Sequence, residues 1–201
     1  MTLDRFRTTA DRLLDPVVQV ADRLGLSPNA VSVVAFLAAI AAAAAFAVAD
    51  SGRGWYLLGA FLVLANGYLD LVDGALARAQ GHDSKAGDLL DHVLDRYADI
   101  LIIAGLAAGV DAYAIGLAAV TGVLMTSYLG TQAQAVGLDR VYAGVLGRAD
   151  RLALVTVVAV LAALLGDIRG VDPVVAVLAV FAVVGHLTAV QRFVGAWRAL
   201  E

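Results

Sequence analysis

Apolar positions along this chain come in six long runs separated by short polar breaks, and the runs lack the polar face that a soluble helix would carry. Residues 30–49 are interrupted only by Ser32. The other runs cover residues 55–78, 86–110, 112–134, 151–165 and 173–198. About 20 apolar residues suffice to cross ~30 Å of hydrocarbon, so the pattern predicts an all-α polytopic membrane protein with six transmembrane helices, the fifth being the shortest. Residues 1–26 read differently: Arg and Asp alternate with Phe6, Leu13, Leu14, Val17, Val18 and Val20. This suits an amphipathic helix lying in the headgroup layer, bent or interrupted at Pro16. It is not a signal peptide, because acidic residues and Pro16 break it and no small-residue cleavage site follows. Ser27-Pro28-Asn29 then carries the chemistry of a helix start. One domain is expected over residues 1–201, with 1–28 as the interfacial segment and 29–201 as the six-helix core.

Composition agrees with a bilayer. Hydrophobic residues make up 61% and charged ones 16%, with a mean hydropathy of +0.84, too little polar surface to coat a soluble globule. With the N-terminus inside, twelve basic residues fall on the cytoplasmic face: Arg5, Arg7, Arg12, Arg23, Arg78, Lys85, Arg96, Arg140, Arg148, Arg151, Arg192 and Arg198. Only Arg53 and Arg169 fall outside. Basic residues stay on the cytoplasmic side during insertion, so a multi-pass cell-membrane protein with both termini inside is expected.

Four aspartates stand out against this background: Asp70 and Asp73 near the end of the second run, Asp91 and Asp95 near the start of the third. Residues three or four apart share a helix face, so each pair points one way and the two pairs can meet across a cleft. Carboxylates are costly near lipid and, when clustered, take a cation or a substrate as partner. The chain has no cysteine, which leaves oxygen or histidine as ligands. An all-carboxylate set points to Mg²⁺ or Mn²⁺.

The stretch from Asp70 to Asp95 fits, at every fixed position, D-x2-D-G-x2-A-R-x8-G-x3-D-x3-D: Asp70, Asp73, Gly74, Ala77, Arg78, Gly87, Asp91 and Asp95. In this it resembles the CDP-alcohol phosphotransferases, integral membrane enzymes of phospholipid synthesis. The resemblance implies that Asp70, Asp73 and Asp91 hold a pair of divalent ions, with Asp95 in reach of them as general base. It also implies that Gly74, Ala77, Arg78 and Gly87 shape a nucleotide pocket together with Asp70 and Asp73. Asn29, in Ser-Pro-Asn, looks like the family's entry into its first span, and the resemblance counts it with the nucleotide pocket. The implied reaction moves the phospholipid moiety of a CDP-linked lipid, ester- or ether-linked, to a hydroxyl acceptor and releases CMP. Asp95, one turn beyond Asp91, is placed to take the acceptor's proton. A homodimer is implied too; no nucleic-acid partner is expected.

Arg148, Arg151 and Arg192 form a second constellation at the cytoplasmic level. The layout is similar to the inositol-phosphate-using branch of the family, where basic residues grip the acceptor's phosphate. That branch's lysine and following Arg and Glu stand here as Gly130, Gln132 and Gln134, so a phosphorylated polyol is expected, either inositol phosphate or glycerol phosphate. Asp88 and Asp99 continue the Asp91/Asp95 face as outer partners or polar filling. His82, Asp83 and Lys85 read as solvated loop charges, His92 as a helix-packing residue and His186 as a buried hydrogen-bonded one. Two rival readings remain. Asn66-Gly-Tyr-Leu-Asp70 is similar to a motif of membrane prenyltransferases, but that class needs more spans and a distant second motif. A cation transporter would place its carboxylates near the midplane.

Overall fold

The apolar runs become helices almost where their patterns place them. The computed structural model describes residues 7–81, 84–139 and 146–201, with side chains from Leu14 onward. Within them lie α1 (Arg7–Arg23), α2 (Pro28–Ala47), α3 (Gly54–Gln80), α4 (Lys85–Gly109), α5 (Tyr113–Ala135), α6 (Arg148–Leu165) and α7 (Pro173–Leu200), with a 3₁₀ turn at Ala49–Ser51. Arg5 and Arg140, assigned by the sequence pattern to the cytoplasmic side, and His82 and Asp83, expected as solvated loop charges, lie outside the described residues.

Local chemistry sets the helix starts. Ser27 caps α2 by accepting from the Ala30 N–H at 3.2 Å, with Pro28 at the first helical position. Ser84 caps α4 through the Gly87 N–H at 3.0 Å, and Asp172 caps α7 through Val174 at 2.7 Å. The sixth helix starts at Arg148, three residues before the expected Arg151, because the Gly147 N–H donates to Asp150 Oδ2 at 3.0 Å and closes an extra first turn. That turn makes Arg148 a helical residue.

Four helices, α2, α3, α5 and α7, are long and apolar enough to cross a membrane by length and composition. The other two long helices each carry three charges inside their most apolar stretch: Asp95, Arg96 and Asp99 in α4, and Arg148, Asp150 and Arg151 in α6. Apolar residues face outward as well as inward. Leu37, Phe61, Leu64, Leu117, Leu164 and Val183 are all more than half exposed, the distribution of a protein solvated by lipid.

The core is built by α2 packing against both α3 and α4, α5 against α7, and α6 against α3 and α7. Phe46, Leu106, Leu178 and Phe181 fill it. Glycine lets α4 approach α2: a Cβ on Gly105 would collide with the backbone of Ala43, and one on Gly109 with the Phe46 carbonyl. Gly105→Val is therefore expected to force the two helices apart at a cost of about 1–3 kcal/mol, read as a lower unfolding temperature in detergent. Unchanged stability would contradict this close crossing.

The first helix, α1, continues through Pro16 without the interruption that was one of the two outcomes expected there, a bend being the other. Leu14, Val18 and Ala21 bury one of its faces against Val31, Val72 and Leu76. Gln80 at the end of α3 donates to Asp22 Oδ1 at 2.9 Å and to the Leu26 carbonyl at 3.2 Å, tying α1 and the turn after it to the helix that carries Asp70 and Asp73.

Candidate active site

Because α3 and α4 each pack on α2 rather than on one another, a cleft opens between their acidic faces. Ligand oxygens of Asp70, Asp91 and Asp95 come within 4.8 Å of one another. Opposite ligands of one small hard cation lie about 4.2 Å apart at ~2.1 Å bond lengths, so a modest side-chain adjustment fits the cluster to Mg²⁺ or Mn²⁺. The donor set is all carboxylate, as those ions prefer. Asp73 is set apart from this triplet. It is buried and accepts the Ser32 hydroxyl at Oδ2, 2.6 Å away. One α3 residue thus faces the cluster while the other is steadied from α2.

Beside the carboxylates lies a cavity of about 470 Å³, lined by Asn29, Asp73, Gly74, Ala77, Arg78, Gly87 and Asp91 together with Ser32, Ser84, Lys85 and Asp88. It gathers every residue expected at the nucleotide except Asp70. A Cβ on Gly74 would meet only the Arg78 guanidinium, at 3.5 Å, so hydrogen there preserves cavity space rather than relieving a clash. Gly87 acts differently. A Cβ there would lie 3.1 Å from Ser84 Oγ and 3.2 Å from Asn29 Oδ1, so glycine lets the starts of α2 and α4 close together.

The three arginines expected at the acceptor have separate partners. Arg148 forks onto Asp70 Oδ2 at 2.6 Å and Asp95 Oδ1 at 2.7 Å, and its Nη2 also donates to Asn66 Oδ1 at 3.4 Å. Arg151, buried, donates to the buried Asp99 at 2.7 Å. Arg192 donates to the Thr126 carbonyl at 2.6 Å. Arg151 and Thr126 line one small void where α5, α6 and α7 meet, which makes Arg151 and the Arg192 contact neighbours. Arg148 stands with the carboxylates instead.

Several contributors escaped the sequence reading. Arg96 reaches Asp99 at 3.2 Å, Asp95 at 3.8 Å and the Ser127 hydroxyl, so a charge ladder runs Asp70–Arg148–Asp95–Arg96–Asp99–Arg151. Asp99 is therefore a buried counter-ion, whereas Asp88 is exposed at the cavity rim. Lys85, expected as a solvated loop charge, is exposed but begins α4 and lines the cavity. Ser32, the lone polar residue in its run and one turn after Asn29, was the legible signal for a role at this face. His92 bonds the Asp88 carbonyl of its own helix through Nδ1 at 2.8 Å. His186 meets Thr121 at 3.4 Å but is exposed, not buried.

Known proteins resemble this chain over nearly its whole length. Residues 25–190 match the CDP-alcohol phosphatidyltransferase family. The archaetidylinositol phosphate synthase of Methanothermobacter thermautotrophicus is 33% identical over 99% of this chain and 96% of its own length. The phosphatidylinositol phosphate synthase of Cutibacterium acnes is 32% identical over 99% of both chains. Among solved structures, the Mycobacterium tuberculosis phosphatidylinositol phosphate synthase with CDP-DAG bound superposes with a TM-score of 0.80 at 26% identity, covering 92% of this chain and 94% of that one. The same enzyme in complex with manganese and citrate gives 0.79 at 26% identity, covering 92% and 88%.

Proposed function

The chain belongs to the CDP-alcohol phosphatidyltransferase family, and from that premise we propose that it transfers the lipid phosphate of a CDP-activated lipid to a hydroxyl of inositol phosphate, releasing CMP. One observation carries the reaction: the Asp70/Asp91/Asp95 cluster adjoins a cavity lined by Asn29, Gly74, Ala77, Arg78 and Gly87. Inositol phosphate as acceptor rests on the names of the relatives matched over nearly the whole chain. Their lipids differ in name, so either an ether- or an ester-linked donor suits the reading.

Asp70, Asp73, Asp91 and Asp95 would hold the divalent cation, two ions in the family reading. Such a cation neutralises the pyrophosphate and steadies the leaving nucleotide. The chain's own residues do the rest. Ser32 orients Asp73 by its hydrogen bond, and Arg78 offers a forked donor to phosphate from the cavity wall. Asp95 takes the proton of the incoming hydroxyl as that oxygen bonds to the lipid-side phosphorus and the bond to CMP breaks. Arg151 and Arg192 meet the acceptor's phosphate, for which forked guanidinium donors are well matched.

Six crossings by α2–α7, with the termini and the site cytoplasmic, fit the twelve-to-two division of basic residues. In this arrangement α4 and α6 keep their charges at the inner ends, and α1 lies along the interface with Val17 and Val20 exposed. A homodimer belongs to the same reading.

The acceptor is tested by measuring CMP release from purified enzyme and a CDP-lipid with inositol 1-phosphate, glycerol 3-phosphate, serine or inositol. Inositol 1-phosphate is expected to be used best, and Arg192→Gln to raise its KM about tenfold or more, as loss of a charge-assisted contact of 1.5–3 kcal/mol requires, while CDP-lipid binding holds. Efficient use of serine or free inositol, indifferent to that replacement, would overturn the assignment.

A further inference from the structure

Arg148 carries a permanent positive charge and sits where a cation would be drawn. Its two terminal nitrogens grip Asp70 and Asp95, two of the three residues whose oxygens converge. Among the described residues its Nε is the one buried side-chain polar atom with no hydrogen-bond partner. The guanidinium is thus held by carboxylate charge at one end while its stem leaves a donor unsatisfied, an arrangement that other surroundings could improve.

We propose that Arg148 and the divalent cation compete for Asp70 and Asp95, so that cation loading turns the guanidinium away from the carboxylates and toward substrate phosphate. This rests on the carboxylate cluster being the cation site. Three features of the molecule favour competition over simultaneous binding. Arg148 already takes one oxygen from each of two ligands, so both positive charges crowd onto the same two carboxylates. Arg148 is the first residue of α6, directly after Gly147, where a side chain can re-aim without disturbing the helix. Arg151, three residues on, is anchored by Asp99 at 2.7 Å and holds that turn in place while Arg148 moves.

The consequence is an ordering built into one side chain. While Asp95 Oδ1 accepts from Arg148, that oxygen is closed to an acceptor hydroxyl. Release by the cation frees it and delivers a forked donor to phosphate at the same time. By reciprocity, whatever holds Arg148 outward also tightens cation binding.

The test measures Mn²⁺ binding to the full chain in detergent, stripped with EDTA, from the paramagnetic resonance signal of free Mn²⁺. Arg148→Gln is expected to bind Mn²⁺ about fivefold more tightly or better, within the usual range of coupling between sites. Arg148→Lys, which keeps the charge but cannot bridge two carboxylates, is expected to fall between Arg148→Gln and wild type. Binding by Arg148→Gln that is unchanged or weaker overturns the competition. Should that variant fail to fold, unchanged or weaker binding by Arg148→Lys does so. Asp91→Asn separates the two levels: if it binds Mn²⁺ like wild type, the cation site itself is misplaced. If it loses Mn²⁺ while Arg148→Gln stays at wild-type affinity, only the competition fails.

Discussion

Asp91→Asn is expected to lower CMP release by more than the roughly 100-fold that loss of an outer partner of a metal ligand costs, while the helices stay assembled. Asp91 is, with Ser32 and Asp73, one of the residues the two halves of the site share. It lines the 470 Å³ cavity with Asn29 and Arg78, and also the small void enclosed by Asp70, Asp73, Asp95 and Arg148. Asparagine matches aspartate in shape, so α4 keeps its packing on α2 through Gly105 and Gly109. What disappears is one of three converging charges, and with it the strongest ligand type available to a hard cation. The check is turnover after EDTA treatment and Mg²⁺ titration, alongside thermal unfolding of the same preparation. Wild-type-like turnover across the titration would remove the carboxylate cluster from the mechanism.

Helix positions were legible because hydrophobic run length and local caps are written in adjacent residues, as Ser27-Pro28 shows. The shared face of Asp91 and Asp95 was legible for a similar reason, since four-residue spacing fixes it before any tertiary contact forms. Partner choice between helices was not. That Arg148 finds Asp70 and Asp95 depends on how α6 packs in the bundle, against α3 above all, a meeting of residues far apart in the chain that no spacing encodes. The polar stretch before Arg151 resembles a loop until Asp150 reaches back to Gly147 and makes it a helical turn. Asp73 and Asp70 looked equivalent in the sequence, yet only Asp73 meets Ser32, because α2 covers that side of α3. Pro16 shows the opposite case: a residue that could have interrupted the helix is carried inside α1, whose face from Leu14 to Ala21 is buried against Val72 and Leu76.

Asp95→Asn tests the division of labour among these carboxylates. Asp95 is only 16% exposed, lies 2.7 Å from Arg148 and 3.8 Å from Arg96, and contributes an oxygen to the same triplet as Asp70 and Asp91. It could serve as ligand, as base, or as both in turn. An amide keeps the shape and can still accept a hydrogen bond, but it cannot take a proton from the attacking hydroxyl. If proton transfer is its task, kcat should fall by about 10²–10⁴-fold while CDP-lipid affinity stays near wild type, because the lost interaction belongs to the transition state. A ligand role predicts another pattern, with cation and donor affinities falling in step with rate. Measuring Mn²⁺ affinity, CDP-lipid binding and CMP release on one preparation separates the two, and parallel losses in all three would assign Asp95 to the cation rather than to the proton.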